Sequence, residues 1–257
     1  MPRIVPAALL AVAASATAGG LSAAGVLAPL PAAWIAAGAG AALAGYAGAG
    51  SVLPSWCAYG PALTRGRLDR PRVALTFDDG PDPASTPILL AALRTAGARA
   101  TFFVLADRAC RFPDLLADLA RDQEVALHGG SHDLSLVFLP PAAGAARLRE
   151  ACALLASLPG GPRVIRWFRP PFGAQSPRSV AAVRLAGLAT AWCSVRTRDG
   201  LGGDPGRVRR ACARAGPGDV VLLHEGARPA RDALPSVLGD LSRRGLTAST
   251  LSEVVDP

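Results

Sequence analysis

An α/β fold, with a mainly parallel sheet closed into a barrel and a membrane segment ahead of it, is the architecture the sequence predicts. Three observations point to it. From Arg70 onward, short apolar runs alternate with amphipathic stretches. The distinctive polar residues stand at the ends of those apolar runs. No Asp, Glu, Lys, Arg or His occurs from Ile4 to Thr64, a stretch built from Ala, Gly, Leu, Val and Ile.

The uncharged stretch is too long for one pass, because a bilayer core of about 30 Å takes roughly 20 apolar residues per helix. It divides into a transmembrane helical hairpin, about Ile4 to Leu27 and about Ala32 to Val52, with Pro29-Leu30-Pro31 as the turn. The small residues from Gly38 to Gly45 would let the two helices approach closely. A signal peptide cleaved near Ala14-Ser15-Ala16 and a single anchor followed by an apolar linker are competing readings. For a hairpin, Arg3 together with Arg65, Arg67, Arg70 and Arg72 indicates a cytoplasmic domain. The chemistry argued below operates outside, and a single uncleaved span would reconcile the two. The side stays open. The division is therefore an anchor over 1–64 and a catalytic domain over 65–257 of an integral membrane protein of the cell envelope.

In the second part, strands are predicted at Arg72–Phe77, Ala100–Ala106, Glu124–His128, Val164–Arg169, Thr190–Val195, Val220–His224 and Leu246–Thr250. Helices lie between them near Pro87–Thr95, Pro113–Arg121, Ala143–Leu158, Pro177–Ala186, Pro205–Ala215 and Ala230–Arg243. In a parallel barrel the C-terminal strand ends meet in one mouth, where active sites are assembled. Asp78 and Asp79 end the first strand, His128 the third and Arg169 the fourth; Asp199 follows the fifth, and His224 ends the sixth.

Composition bounds the partners. The net charge is +8 and every basic residue is arginine, nearly all beyond residue 64. Such a domain attracts phosphate, carboxylate or an anionic membrane face. With 2 tyrosines and scattered tryptophans there is no aromatic platform among the arginines, and nucleic acid is not a partner. The 5 cysteines form no Cys-x-x-Cys pair, and Cys152, Cys193 and Cys212 fall in apolar patterns as small buried hydrophobes.

All 3 histidines stand beside polar groups at strand ends. His128 and His132, four apart, can reach one ion across a turn, and Asp79 from another strand end completes a three-ligand site. Asp78 beside it is placed to accept a proton from an attacking water, and His224, from the opposite wall, to protonate the leaving group. The donor set suits a divalent ion, zinc but also cobalt, nickel or iron.

These residues carry a family resemblance. Thr76-Phe77-Asp78-Asp79-Gly80-Pro81, His128-x-x-x-His132, Arg169-Pro170-Pro171-Phe172-Gly173 and Leu222-Leu223-His224 resemble, in order and approximate spacing, the motifs of the NodB-homology polysaccharide deacetylases, carbohydrate esterase family four. The likeness covers about residues 70 to 253. It implies a distorted (β/α) barrel and metal-dependent hydrolysis of an N-acetyl group on an amino sugar. Carried over, Asp78 resembles the general base, Asp79, His128 and His132 the metal ligands, and His224 the general acid. Arg169 is similar to the arginine that holds the base, and the Phe172 N–H to a donor for the oxyanion.

Departures accompany the likeness. Gly129 stands where the family carries Ser or Thr, leaving Ser131 to support the loop. The family's fourth motif reads two aspartates and a tryptophan, whereas here Arg196 replaces the first aspartate and Gly200 the tryptophan. Asp199 survives and resembles the residue that orients the acid histidine. Trp167 or Trp192 could replace the lost wall, although core packing suits either. The function implied is removal of N-acetyl groups from an envelope polysaccharide or a lipid-linked glycan, with membrane lipids and the glycan as partners. Arg65 to Arg72 would face the headgroups and neutralise a lipid diphosphate. A deformylase or deacylase on a lipid-linked amino sugar, and an inactive carbohydrate-binding barrel, are the alternatives.

Overall fold

The computed structural model describes residues 59–256 together with the isolated positions Gly38 and Gly45. The expected hairpin falls outside this continuous run, as does Cys57. Among the described residues no helix is long and apolar enough to cross a membrane.

Eight strands form one parallel sheet: β1 (Arg72–Gly80), β2 (Thr101–Leu105), β3 (Glu124–Gly129), β4 (Trp167–Phe168), β5 (Ala189–Thr190), β6 (Val195–Arg196), β7 (Val220–His224) and β8 (Thr247–Ser249). Their order is β5-β4-β3-β2-β1-β7-β6, with β8 paired to the start of β1. The helices are α1 (Thr86–Thr95), α2 (Ala106–Arg111), α3 (Pro113–Asp122), α4 (Ser135–Phe138), α5 (Pro141–Ser157), α6 (Pro177–Leu185), α7 (Pro205–Cys212), α8 (Arg228–Arg243) and α9 (Leu251–Val255). The six expected from the sequence each carry proline in the first turn, where its missing N–H costs nothing. Of the other three, α9 starts on a Thr250–Glu253 capping box.

Side-chain alternation along the strands sorts the two cores. Val73, Leu75 and Phe77 of β1, Phe102 and Val104 of β2, Val125 and Leu127 of β3, and Val221 and Leu223 of β7 belong to the larger cluster, which the helices cover. The opposite phase belongs to a second cluster of Ala74, Phe103, Ala126, Trp167 and Val220. Two-residue periodicity then places Thr76 and Asp78 in phase with Ala74, His128 with Ala126, Arg169 with Trp167, and His224 with Val220. The polar residues thus extend the inner face of the sheet at its C-terminal end. Cys193 and Cys212 are buried as expected, but Cys152 is only half-buried; burial pushes the Cys212 thiol up to about 12 and that of Cys152 to about 11.

The sheet is a curled half-barrel, not the closed barrel expected. The run Thr190–Val195 does not form one strand. Its start pairs with β4 and its end with β7, so it crosses the seam instead of adding a rung. Leu63 lies in that seam: its N–H donates to the Thr190 carbonyl at 2.9 Å, and the Trp192 N–H donates to its own carbonyl at 2.6 Å. Hydrogen bonding into the domain thus begins before residue 65. The Arg65–Arg72 cluster sits at the N-terminal strand ends, where Arg65 pairs with Asp219 at 2.6 Å and Arg67 with Asp69 at 2.5 Å. Arg72 Nη1 donates to the Glu253 carbonyl at 2.9 Å. The length of β1, roughly 25 Å at about 3.3 Å per residue, separates these arginines from the C-terminal strand ends.

Candidate active site

Consecutive strand residues ordinarily point to opposite faces, so Asp78 and Asp79 need a local device to share one site. It is a bulge: β1 pairs Asp78 with Phe103 but Gly80 with Val104, and Asp79, at φ 71, is the extra residue. The same device recurs on β3, where Leu127 pairs with Val104 and Gly129 with Leu105, leaving His128 as the extra residue. Gly129 at φ 136 takes a conformation that side chains rarely adopt, which suits glycine at this position.

Asp79 Oδ1 lies 3.3 Å from His128 Nε2 and 3.3 Å from His132 Nε2. Ligands about 2.0–2.1 Å from zinc stand roughly 3.3–3.4 Å apart on a tetrahedron, so the three atoms fit one ion. Asp79 Oδ1 is also buried with no hydrogen-bond partner, as a ligand atom awaiting a cation would be. Burial pushes the Asp79 carboxyl up, but the neighbouring His128 and the nearby histidine charges outweigh it and hold it at about 2. Burial holds the His132 imidazole below its usual range, favouring the neutral form that a metal takes. Asp133 fixes the loop carrying His132: its carboxylate accepts from Ser131 Oγ at 2.5 Å, Ser135 N at 2.8 Å and Arg147 Nη2 at 2.9 Å. Asp133→Ala is expected to lower zinc affinity about 10–100-fold, as loss of a supporting group does, with the circular dichroism spectrum unchanged. Chelator competition reads this directly, and unaltered affinity would remove Asp133 from the site's support.

Arg169, 2% exposed, donates from Nη1 to Asp78 Oδ1 at 2.7 Å and Thr76 Oγ1 at 2.8 Å, from Nη2 to the Trp192 carbonyl at 2.9 Å, and from Nε to the Ala191 carbonyl at 3.2 Å. Its guanidinium lies 4.1 Å over the Phe103 ring. Asp199 is buried and accepts three hydrogen bonds: Thr197 Oγ1 at 2.7 Å, His224 N at 2.8 Å and His224 Nδ1 at 3.0 Å. A solvated loop aspartate would make none of these. His224 is the register partner of Asp78 on the neighbouring strand, not a residue of the opposite wall. Burial lowers the His224 pKa, but the hydrogen bond to Asp199 and the charges of Asp78, Asp199 and Asp79 outweigh it and raise it from 6.5 to about 9. Phe172 adopts φ 57 within the 3-10 turn Pro171–Gly173, with its ring 4.1 Å from that of His132.

All eight candidate residues border one groove of about 720 Å³. The sequence did not single out Arg108, whose Nη1 donates to the Asp79 carbonyl at 2.7 Å from the unanticipated α2. Glu225 went unnoticed too. It is fully buried behind the bulge, donates its N–H to the Asp78 carbonyl at 2.9 Å, and accepts from Thr86 Oγ1. Burial pushes its carboxyl up to about 8. A Cβ on Gly80 would collide with that carboxyl, so the glycine of the acidic turn is a packing requirement. Trp192 lines the groove, whereas the Trp167 indole donates to Ser252 Oγ at 2.9 Å and packs in the inner core.

A family model described as polysaccharide deacetylase matches residues 65–191. The chain is 34% identical over 193 residues to a chitooligosaccharide deacetylase of Sinorhizobium fredii, covering 72% of this chain and 84% of that protein. This chain belongs to the polysaccharide deacetylase family. Members of this family are metal-dependent hydrolases of carbon–nitrogen bonds that act on N-acetyl groups. A peptidoglycan-N-acetylglucosamine deacetylase of Bacillus cereus is 29% identical over 196 residues, 71% of this chain and 87% of that protein. Among solved structures, the family 4 carbohydrate esterase from Streptomyces lividans in complex with acetate superposes with a TM-score of 0.63 at 30% identity, covering 69% of this chain and 91% of that one. As in other polysaccharide deacetylases, the parallel sheet here curls into a half-barrel.

Proposed function

We propose that this polysaccharide deacetylase removes N-acetyl groups from the amino sugars of an envelope glycan, held at the membrane by its uncharged N-terminal segment. The observation that carries the reading is the convergence on one groove of a His-His-Asp donor set, a carboxylate held by a buried arginine and a histidine held by a buried aspartate. A divalent ion held by Asp79, His128 and His132 supplies, when bound, polarisation of the attacking water and of the acetamide carbonyl. Asp78, oriented by Arg169, takes the proton from that water as the oxygen attacks the carbonyl carbon. The Phe172 N–H donates to the oxyanion of the tetrahedral intermediate. His224, tethered through Nδ1 to Asp199, donates from Nε2 to the amine nitrogen as the C–N bond breaks. Acetate and a free amino sugar leave. Base and acid stand side by side on β1 and β7, which suits the case, since water and amine are both substituents of one tetrahedral carbon.

The experiment is acetate release from N-acetylglucosamine oligomers and peptidoglycan by the full-length chain, stripped of metal and then given zinc or cobalt, with His132→Ala as control. Metal-dependent release lost in the variant supports the reading; a folded, metal-loaded chain that releases none sinks it.

The acid role carries a pH prediction. With a pKa of about 9, the His224 imidazolium persists through neutral pH and is lost as the pH rises through that value. Asp199→Asn removes its strongest support, so the alkaline limb of kcat/KM should move to lower pH as kcat falls. Stability follows the same sign. A group raised above its unfolded value of 6.5 contributes fully below that pH and loses its contribution between 6.5 and about 9. Melting temperatures of the metal-free chain across that window should decline, and decline less in Asp199→Asn. An unmoved alkaline limb would assign the acid elsewhere.

A further inference from the structure

The geometry points to charge recognition in the same groove: we infer that Arg196 and Arg198 hold an anionic substituent, carboxylate or phosphate, on a ring carbon next to the one bearing the acetamide. The inference rests on the deacetylase reading and names its substrate class.

The groove is lined by five arginines, three of them committed elsewhere. Arg169 is spent on Asp78 and two carbonyls, Arg108 on the Asp79 carbonyl, and Arg228 on Asp232 at 3.2 Å. Arg196 and Arg198 are exposed, and among the described residues neither side chain has a hydrogen bond or an ion pair. The acidic residues of the groove are occupied by Arg169, the histidines and Thr197, so no protein carboxylate is left to neutralise them. Both border the groove on the acid side: Arg196 is in register with Leu222 of β7, two residues before His224, and Arg198 immediately precedes Asp199, which holds His224. Arg198 holds a left-handed backbone at φ 59, ψ 30, a conformation that non-glycine residues adopt at a cost and that clusters at functional positions. Gly200 keeps the approach clear, since even a Cβ there would come within 3.2 Å of the His224 ring.

Substrate chemistry then sets the ring position. His224 protonates the leaving amine, so the sugar carbon carrying that amine, C2, lies on the His224 side. Its ring neighbours are C1 and C3, and a charged group on the one turned toward β6 would be nearest Arg196 and Arg198. A charge on C6 lies across the ring. Planar guanidinium forks match carboxylate and phosphate oxygens, whereas a neutral sugar would cover the two charges without compensating them.

The test is binding to the zinc-loaded, full-length Asp78→Asn chain, read by NMR titration at low salt. The probes are N-acetylmuramic acid, with its carboxylate on C3; N-acetylglucosamine 1-phosphate, charged on C1; and N-acetylglucosamine with its 6-phosphate as references. The C3 or the C1 anion is expected to bind at least about tenfold tighter than both references, the scale of one charge-assisted contact. A C3 preference identifies a carboxylate source and a C1 preference a phosphate source. The advantage should vanish in Arg196→Ser/Arg198→Ser and persist in large part in the double lysine variant. Equal binding of all four sugars, an equal advantage for the 6-phosphate, or an advantage that survives the serine pair overturns the inference. Acetate release by the wild-type chain from the same sugars tests the deacetylase reading separately: no release with the binding preference intact would sink deacetylation and leave the anion site standing.

Discussion

In the Asp78→Asn chain, acetate release from N-acetylglucosamine oligomers is expected to fall by about 10²–10⁴, the usual contribution of a positioned general base. Asparagine keeps the shape of the side chain, and its amide oxygen can still accept from Arg169 Nη1, now 2.7 Å from Asp78 Oδ1. It cannot take a proton. The candidate metal donors Asp79, His128 and His132 are untouched, so metal stoichiometry should stay near wild type while kcat collapses. Metal analysis beside the rate measurement separates the two outcomes. Full activity would remove Asp78 from the chemistry, and loss of metal would make its role structural.

Arg169→Ala should destabilise the domain by about 3–5 kcal/mol and abolish turnover, the cost of stranding a buried charge without its partner. Asp78 is 4% exposed, and removing Arg169 also orphans the Ala191 and Trp192 carbonyls. Those carbonyls lie where the chain crosses the open seam of the sheet, so the arginine ties Asp78 to the seam. Thermal melting should register a drop on the order of 10 °C. Lysine should restore little, since one ammonium on a flexible stem does not reproduce the planar fork that spans these acceptors. A melting temperature within a degree or two of wild type would show that Asp78 is ordered by something else.

Much of the scaffold was legible in the chain. The helices with proline in the first turn were all anticipated, because a fixed φ and a missing N–H act locally. The short helix α2 lacks that signal, and with it Arg108 escaped notice. Strand cores were found where apolar alternation ran for several residues. They were overextended where only two residues pair, as at Trp167–Phe168, because the ends of a strand are set by the neighbour that hydrogen-bonds to it. The glycines after the acidic turn and after His128 were visible, but their meaning was not: one makes room for the Glu225 carboxyl and the other lets the chain turn behind a bulge. Nor did the arginines near residue 70 reveal that they sit at the wrong end of the sheet for the groove, since charge has no direction in a sequence.

Residue order alone was enough to put Asp78, His128, Arg169 and His224 at strand ends, because an apolar run and the polar residue that closes it are adjacent in the chain. It was enough, too, to show an uncharged leading segment and a histidine-aspartate set suited to a divalent ion. Other features depended on chains meeting in space. The bulges that turn Asp79 and His128 into one donor set, the pairing of Asp78 beside His224, the tether of Asp199 and the seam filled by Leu63 are relations between segments far apart in sequence. Register and the shift at a bulge depend on how two strands hydrogen-bond, and neither strand carries that information by itself.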